Sequence, residues 1–436
     1  LKPWLNYTMS YKKKVLIITY YWPPSGGSGV QRWLKFSKYL RDFNIEPVIY
    51  TVDNPSYPIN DTSLESEIPL GLEVLKQPIF EPNSFLSIFG NNKKKESAGF
   101  LNPNPTLLGR FFQYVRANYF IPDARKFWIQ PSVKFLSNYL KNNKIDAIIT
   151  TGPPHSMHLV GLALRDKFKI KWISDFRDPW TEIDYFQQLP LTKKAKKKHH
   201  QLEQEVLEKS DMVIVVGETM KKKFLKHNHN IEVLTNGFDS YENSLTIELD
   251  SNFSITHVGL MNADRNPTIL WKVLNEISNT NPGFKNDLRI KLIGKIDDAV
   301  IQDLKVFGHE IIERIPYLDH KDVSKYQASS QVLLLSINEV PSAKGIITGK
   351  IFEYLQAKRP ILAIGPEDGD AAMILKNTNA GTIVGFKNKT VLKATILNLY
   401  KDYKEGVLFV KSINIEQYHR KNITSQLAEV IKKVVS

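Results

Sequence analysis

Residues 345–360 read GIITGKIFEYLQAKRP, and their types and spacing could do chemistry. A loop with two glycines leads into a helix-forming stretch that carries one acid, Glu353, among aromatic and aliphatic residues. The following AKRPILAIG opens a strand. A carboxylate placed there can accept hydrogen bonds from both hydroxyls of a ribose. The N–H groups at the helix start can hold a diphosphate. The stretch suggests a site for a nucleotide sugar.

Four further segments stand after apolar runs. Pro24–Arg32 (PSGGSGVQR) places Gly26, Gly27 and Gly29 where backbone can approach an anion. It has neither GxGxxG spacing nor a GK[ST] ending, and such turns also serve packing alone. Thr150–Ser156 (TTGPPHS) sets His155 at the carboxyl edge of a strand, where α/β sheets bind ligands. His155 could contact a sugar hydroxyl or stabilise charge at a reacting centre, or be structural. Asp175–Trp180 (DFRDPW) offers Asp175, Arg177 and Asp178 to a polyhydroxylated acceptor or as a base. The alternative is an Asp–Arg structural pair with an Asp-Pro turn. Val258–Pro267 (VGLMNADRNP) would aim Arg265 at a phosphate from a loop before a helix, unless that arginine is a solvated surface group. A basic run, Lys193–His200 (KKAKKKHH), reads as a solvated helix face; it could also touch anionic lipid or a diphosphate-bearing acceptor. Its histidines lack the pattern of a metal site.

The elements that must position these residues alternate. Lys14–Tyr20, Pro47–Val52, Ala147–Thr150, Lys171–Asp175, Met212–Val216 and Glu232–Leu234 read as strands, several of them continuous apolar runs suited to burial on both faces. Trp33, Phe36, Leu40 and Phe43 recur at helical spacing. A second series begins near Phe253, with strands at Ser254–Val258, Lys291–Gly294, Val332–Ser336, Pro360–Ile364 and Thr382–Val384. Helices are expected near Pro267–Ile277, Lys350–Ala357, Ala371–Lys376 and Ile415–Val435. Strands alternating with helices imply doubly wound α/β domains. The expected organisation is residues 1–245, residues 246–412 and a terminal helix over 413–436. Asp53–Pro131 reads as irregular, rich in proline and in aromatics such as Phe85, Phe89 and Phe111, mixed with Arg110, Arg116 and Arg125. That mixture suits a membrane interface, although aromatics packed inward explain each residue singly.

The 436 residues are 42% hydrophobic, enough for substantial cores in two or three domains. The absence of cysteine removes disulfides and thiolate chemistry and fits a reducing cytoplasm. The net charge of +14 favours nucleic acid, anionic lipid or phosphorylated small molecules without choosing among them. No apolar run reaches the length of a bilayer span. Met9 fits a translation start, with Leu1–Thr8 upstream of it.

Taken together, Gly26-Gly27-Ser28-Gly29, GPPHS, Asn236-Gly237-Phe238-Asp239, VGLMNADRNP and KIFEYLQAKRPILA resemble the retaining GT-B glycosyltransferases of family 4 over nearly the whole chain. DFRDPW and Pro122-Asp123 are similar to a subgroup found in bacterial surface-polysaccharide clusters. The resemblance implies two facing Rossmann-like domains, with the donor held by the second, the acceptor by the first, and a final helix crossing back. It implies catalytic roles for His155, Arg265 and Lys350. Donor-binding roles fall on Gly27, Ser28, Gly29, Gly259, Arg265, Thr348, Lys350 and Glu353, and acceptor binding on Asp175, Arg177 and Asp178. The donor would be a UDP- or GDP-linked sugar, with no cofactor and no metal. The acceptor would be a saccharide or a lipid-linked saccharide, and the protein cytoplasmic with peripheral contact to an anionic membrane. Two positions depart from the family pattern. Gly345 stands where a second glutamate is usual, and Leu260 where an arginine is usual. Lys350, or else Lys344, could replace the missing charge. Competing readings are a GT-B-shaped epimerase, a nicotinamide-dependent enzyme with misplaced glycines, and a non-enzymatic binder of anionic ligands.

Overall fold

The computed structural model describes residues 12–57, 59–81, 106–239, 247–318 and 320–436. Leu1–Thr8, Phe85 and Phe89 lie outside the described residues.

The chain divides into two units: Leu1–Thr235 with Arg420–Ser436, and Asn236–His419. The crossings fall at 235 and 419, against expected positions of 245 and 412. In the first unit the strands are β1 (Lys13–Ile18), β2 (Ile45–Val52), β3 (Glu73–Gln77), β4 (Ala147–Gly152), β5 (Lys171–Phe176), β6 (Met212–Val215) and β7 (Ile231–Val233). They form one parallel sheet in the order β3-β2-β1-β4-β5-β6-β7. In the second unit β8 (Phe253–Val258), β9 (Leu288–Ile293), β10 (Ile312–Ile315), β11 (Val332–Ser336), β12 (Ile361–Ile364) and β13 (Gly381–Val384) repeat that pattern as β10-β9-β8-β11-β12-β13. Each sheet reverses strand order once, between β1 and β4 and between β8 and β11. Ligands of doubly wound folds bind at the carboxyl ends flanking such a reversal.

Central strands β4, β8, β11 and β12 are buried along their whole length, which explains the apolar runs of β11 and β12; β8 (FSITHV) also buries Ser254 and Thr256, each with a hydrogen-bond partner. The edge strands β3 (EVLKQ) and β10 (IERI) are half-exposed and charged, and no apolar run announces them. The supposedly irregular Asp53–Pro131 contains β3 and a helix at Leu107–Tyr119, and a further helix begins at Ile129. The last helix, Arg420–Val435, packs into the first unit. Ile423, Leu427 and Ile431 share a core with Val30, Trp33 and Leu34 of the helix Ser28–Tyr39 that follows β1. Burying each such aliphatic side chain contributes about 1.5–3 kcal/mol, and Lys421 adds an ion pair to Asp42 at 2.9 Å, so the helix rejoins the first unit after the 184 residues of the second.

Candidate active site

In the second unit the site is built where β8 and β11 end. Gly259 follows β8 with φ +97, a conformation that favours glycine. A Cβ there would also stand 2.6 Å from Cε of Lys350, so the lysine stem lies directly over the glycine backbone. Lys350 opens the helix Lys350–Ala357. Burial, and then the charge of Arg265, push its ammonium down to about 8. Arg265 sits in the turn Ala263–Arg265, where its Nε donates to Asn338 Oδ1 (3.0 Å) and one amino group donates to the Leu260 carbonyl (3.0 Å). Ser336 at the end of β11 donates to the Arg265 carbonyl at 2.7 Å, pinning the turn from below. Burial lowers the Arg265 guanidinium from its ordinary value. Neither Lys350 nor Arg265 forms an ion pair among the described residues. Two desolvated cations without a carboxylate between them favour an anion that bridges both.

Glu353 lies one turn into the same helix, half-buried, and its Oε2 accepts from Gln327 Nε2 at 3.0 Å. Gln327 is buried on the neighbouring helix and orients the carboxylate. Thr348 Oγ1 and Asn262 Oδ1 are buried with no hydrogen-bond partner among the described residues. Beneath Arg265 and Lys350 lies His257, fully buried; burial and the Lys350 charge push it down to about 3, so it stays neutral. Lys344, the other candidate cation, is exposed and pairs with Asp368 at 2.6 Å. Of the two lysines, Lys350 lies desolvated beside Gly259 and Arg265, and Lys344 lies at the surface.

In the first unit the corresponding edge carries the glycine loop and His155. Gly27 has φ +85 and precedes the helix Ser28–Tyr39; the side chain of Ser28 lies outside the described residues. A Cβ at Gly29 would stand 2.8 Å from an Arg177 amino nitrogen, so a larger residue there would displace that guanidinium. Arg177 donates to the Gly29 carbonyl at 2.9 Å and also to the Pro153 carbonyl. It joins the loops after β1 and β4. Two of its nitrogens are thus committed to the scaffold, while its buried Nε has no hydrogen-bond partner among the described residues. Asp178 is exposed.

His155 is 6% exposed, and neither ring nitrogen has a hydrogen-bond partner among the described residues. Its ring stacks on Trp180 at 4.7 Å between centroids, with planes 3° apart. Burial first, then His158 and Arg177, hold it well below its ordinary pKa, so the imidazole is neutral. Trp180 is clamped from the helix Lys193–Lys209. Its Nε1 donates to His199 Nδ1 at 3.1 Å, and its backbone N–H donates to Glu203 at 3.1 Å. The lysines of that run are exposed, as a solvated face requires, while His199 points inward. Asp123, of the Pro122-Asp123 pair, caps the helix Ser156–Phe168. It accepts from the Ser156 N–H at 2.9 Å and the Ser156 hydroxyl at 2.8 Å.

Asp175 is the clearest correction. It is fully buried and accepts from Arg32 (3.2 and 2.9 Å), Trp33 Nε1 (2.7 Å) and Thr151 (2.8 Å). Both oxygens are occupied, so it braces the sheet instead of meeting an acceptor. Burial raises its carboxyl, but Arg32 and the other donors outweigh burial and the net shift is downward. Sequence reasoning also missed Gln327, Asn338 and Ser336, single polar residues with no local motif to mark them.

No curated protein sequence matches the chain. Several solved structures are similar along its length. Sucrose-phosphate synthase from Thermosynechococcus elongatus aligns with a TM-score of 0.62 at 14% identity, covering 97% of this chain and 98% of that one. A mutant of S. aureus TarM, in complex with Fondaparinux, alpha-GlcNAc-glycerol and UDP, aligns with a TM-score of 0.59 at 14% identity, covering 97% and 100%. A UDP-N-acetylglucosamine 2-epimerase aligns with a TM-score of 0.52 at 11% identity, covering 96% and 94%. Residues 96–241 match the model of Glycosyltransferase Family 4, and the two Rossmann-like units give the chain the fold of the GT-B glycosyltransferases.

Proposed function

We propose that the protein is a glycosyltransferase that moves a sugar from a nucleoside-diphosphate sugar to a saccharide or lipid-linked saccharide, as in the building of a surface polysaccharide. The observation that carries this reading is the pair Arg265 and Lys350, desolvated and without a carboxylate partner among the described residues, beside the Gly259 turn. A departing diphosphate is the anion whose developing charge such a pair would stabilise. Glu353, steadied by Gln327, would accept the ribose hydroxyls. The UDP bound by the TarM structure makes UDP the first donor base to test. Transfer proceeds with retention in this reading. The leaving phosphate oxygen takes the acceptor proton on the face from which the donor departs, so no protein nucleophile is needed, and the two cations supply charge that a metal would otherwise bring. His155, neutral and stacked, would offer a hydrogen bond to the sugar.

Calorimetry with UDP and GDP sugars tests the donor site. Glu353→Ala is expected to weaken the preferred nucleotide by about 10- to 100-fold, the worth of one or two hydrogen bonds to a charged acceptor, without changing the fold. Unchanged affinity would remove Glu353 from the site. Incubating the donor alone separates transfer from epimerisation, because an epimerase converts it without an acceptor.

Donor binding is also expected to depend on pH through Lys350. The free ammonium titrates at about 8, below its ordinary value, and only the protonated form attracts a diphosphate. Affinity should therefore be level below pH 8 and fall above it, by up to about tenfold per unit. In Lys350→Arg the decline should vanish, since guanidinium stays charged. A decline that persists in that variant would assign the titration to another group.

A further inference from the structure

Two histidines at the start of the helix Ser156–Phe168 leave polar atoms unanswered. His158 is fully buried and His155 nearly so, and His158 Nε2 and both ring nitrogens of His155 lack a hydrogen-bond partner among the described residues. Both rings are held by stacking: His158 lies on Phe176 at 4.4 Å between centroids, and His155 on Trp180. Two of the unanswered nitrogens meet at Gly152, the last residue of β4. A Cβ there would stand 2.5 Å from His158 Nε2 and 3.0 Å from His155 Nδ1, so both atoms use the space that a side chain would fill.

The far side of His158 fixes where its proton lies. Trp172 Nε1, on β5, donates to Thr150 Oγ1 at 2.9 Å, and an indole nitrogen can only donate. Thr150 Oγ1 in turn lies 2.9 Å from His158 Nδ1. The Thr150 hydroxyl is fully buried and has no other acceptor among the described residues. Its own proton therefore goes to His158 Nδ1, since any other arrangement strands a buried donor. Burial pushes His158 down to about 3, so the ring is neutral and carries its one proton on Nε2. That N–H is the group left over beside His155 Nδ1.

We propose that His158 is a positioning residue that sets the tautomer of His155. An N–H is answered only by a lone pair, so His155 keeps Nδ1 bare and carries its own proton on Nε2. His155 then meets its ligand as a hydrogen-bond donor, and the atom it selects is an oxygen with a free lone pair. Trp172, Thr150, His158 and His155 together carry one directed N–H from inside the sheet to its carboxyl edge. The inference rests on the proposed function only in assigning that oxygen to the transferred sugar. Two histidines that merely filled the core would leave the proton of one indifferent to the other.

Nitrogen NMR of the full chain, carrying ring-labelled histidine, tests it. The two rings are assigned by the loss of their signals in His155→Phe and His158→Phe. In the wild type both are expected to show a protonated Nε2 and a bare Nδ1. His158→Phe keeps a ring to lie on Phe176 but has no N–H, and in it the His155 Nδ1 signal should move from the bare position toward the protonated one as tautomers mix. His158→Gln, whose amide can place an N–H near the lost Nε2, should move that signal back. Thr150→Val removes the hydroxyl that orders His158 and should shift His155 in the same direction as His158→Phe. A wild-type His155 protonated at Nδ1 overturns the proposal without need of any variant. So does a His155 spectrum left unchanged in both His158→Phe and Thr150→Val. No donor is added, so this inference and the transferase reading fail in different measurements.

Discussion

Asp175→Ala is expected to destabilise the first unit by about 3–5 kcal/mol, the usual cost of breaking a buried ion pair from one side. The carboxylate is 0% exposed and its partner Arg32 is 4% exposed, so water cannot replace what is lost. Asp175 gathers donors from two places: Arg32 and Trp33 on the helix after the glycine loop, and Thr151 at the end of β4. Arg32 in turn donates to the carbonyls of Leu234 (2.9 Å) and Thr235 (2.8 Å), where the chain leaves the unit. Losing the carboxylate therefore loosens the strand-end loops and the crossing point together. Asp175→Asn should cost less, since it keeps the shape and part of the hydrogen bonding. The contribution also has a pH signature. The folded carboxyl titrates below its ordinary value, so its stabilisation is complete above about pH 4 and is lost as pH falls through the folded-state value. Denaturant melts at neutral and acid pH check both points. A variant as stable as the parent at pH 7 would show that Arg32 is held adequately without it.

Arg265→Ala is expected to lower kcat by about 100- to 1000-fold, with a smaller effect on acceptor KM. Asn338, Ser336 and the Leu260 carbonyl hold the arginine before any ligand arrives, so no reorganisation is needed as charge develops on a leaving phosphate. Leu260 stands where the family resemblance would place a further cation, so in the proposed reaction Arg265 and Lys350 would carry the charge between them. Arg265→Lys should recover little, because an ammonium cannot make the same two fixed bonds while presenting its remaining donors. Steady-state kinetics with the donor identified by calorimetry provides the measurement. Unaltered turnover would mean that the arginine only shapes the loop. Asn338→Ala, which leaves the charge but frees its orientation, should fall between the two variants.

Much of this arrangement was legible before any coordinates. Strands buried on both faces are mostly apolar, so β1 and β11 stand out as runs, while β4 and β8 carry buried polar residues among their apolar ones. Each glycine-bearing loop then falls at a carboxyl strand end by simple alternation, and with it His155, Arg265 and the helix that carries Lys350 and Glu353. The edge strands were hidden because half-exposed strands tolerate charge. Helix Leu107–Tyr119 was hidden for the opposite reason: its apolar arc has the spacing of an inward face, and nothing local says that it points outward.

What a side chain does once it reaches the sheet edge depends on partners far away in the chain. Asp175 and Arg177 lie in one short acidic and basic motif that suits a sugar acceptor. The fold brings Asp175 to Arg32, 143 residues earlier, and Arg177 to the Gly29 carbonyl, 148 residues earlier, and both become struts. By the same logic Lys350 and Lys344 are alike in composition and neighbourhood, yet one lies over Gly259 and the other pairs with Asp368 at the surface. Local pattern determines which elements form and which residues reach their ends, because burial dictates hydrophobicity residue by residue. Whether a polar group that arrives there is spent on the scaffold or left for a ligand was decided by tertiary structure alone, because hydrogen-bond partners are matched in space and not along the chain.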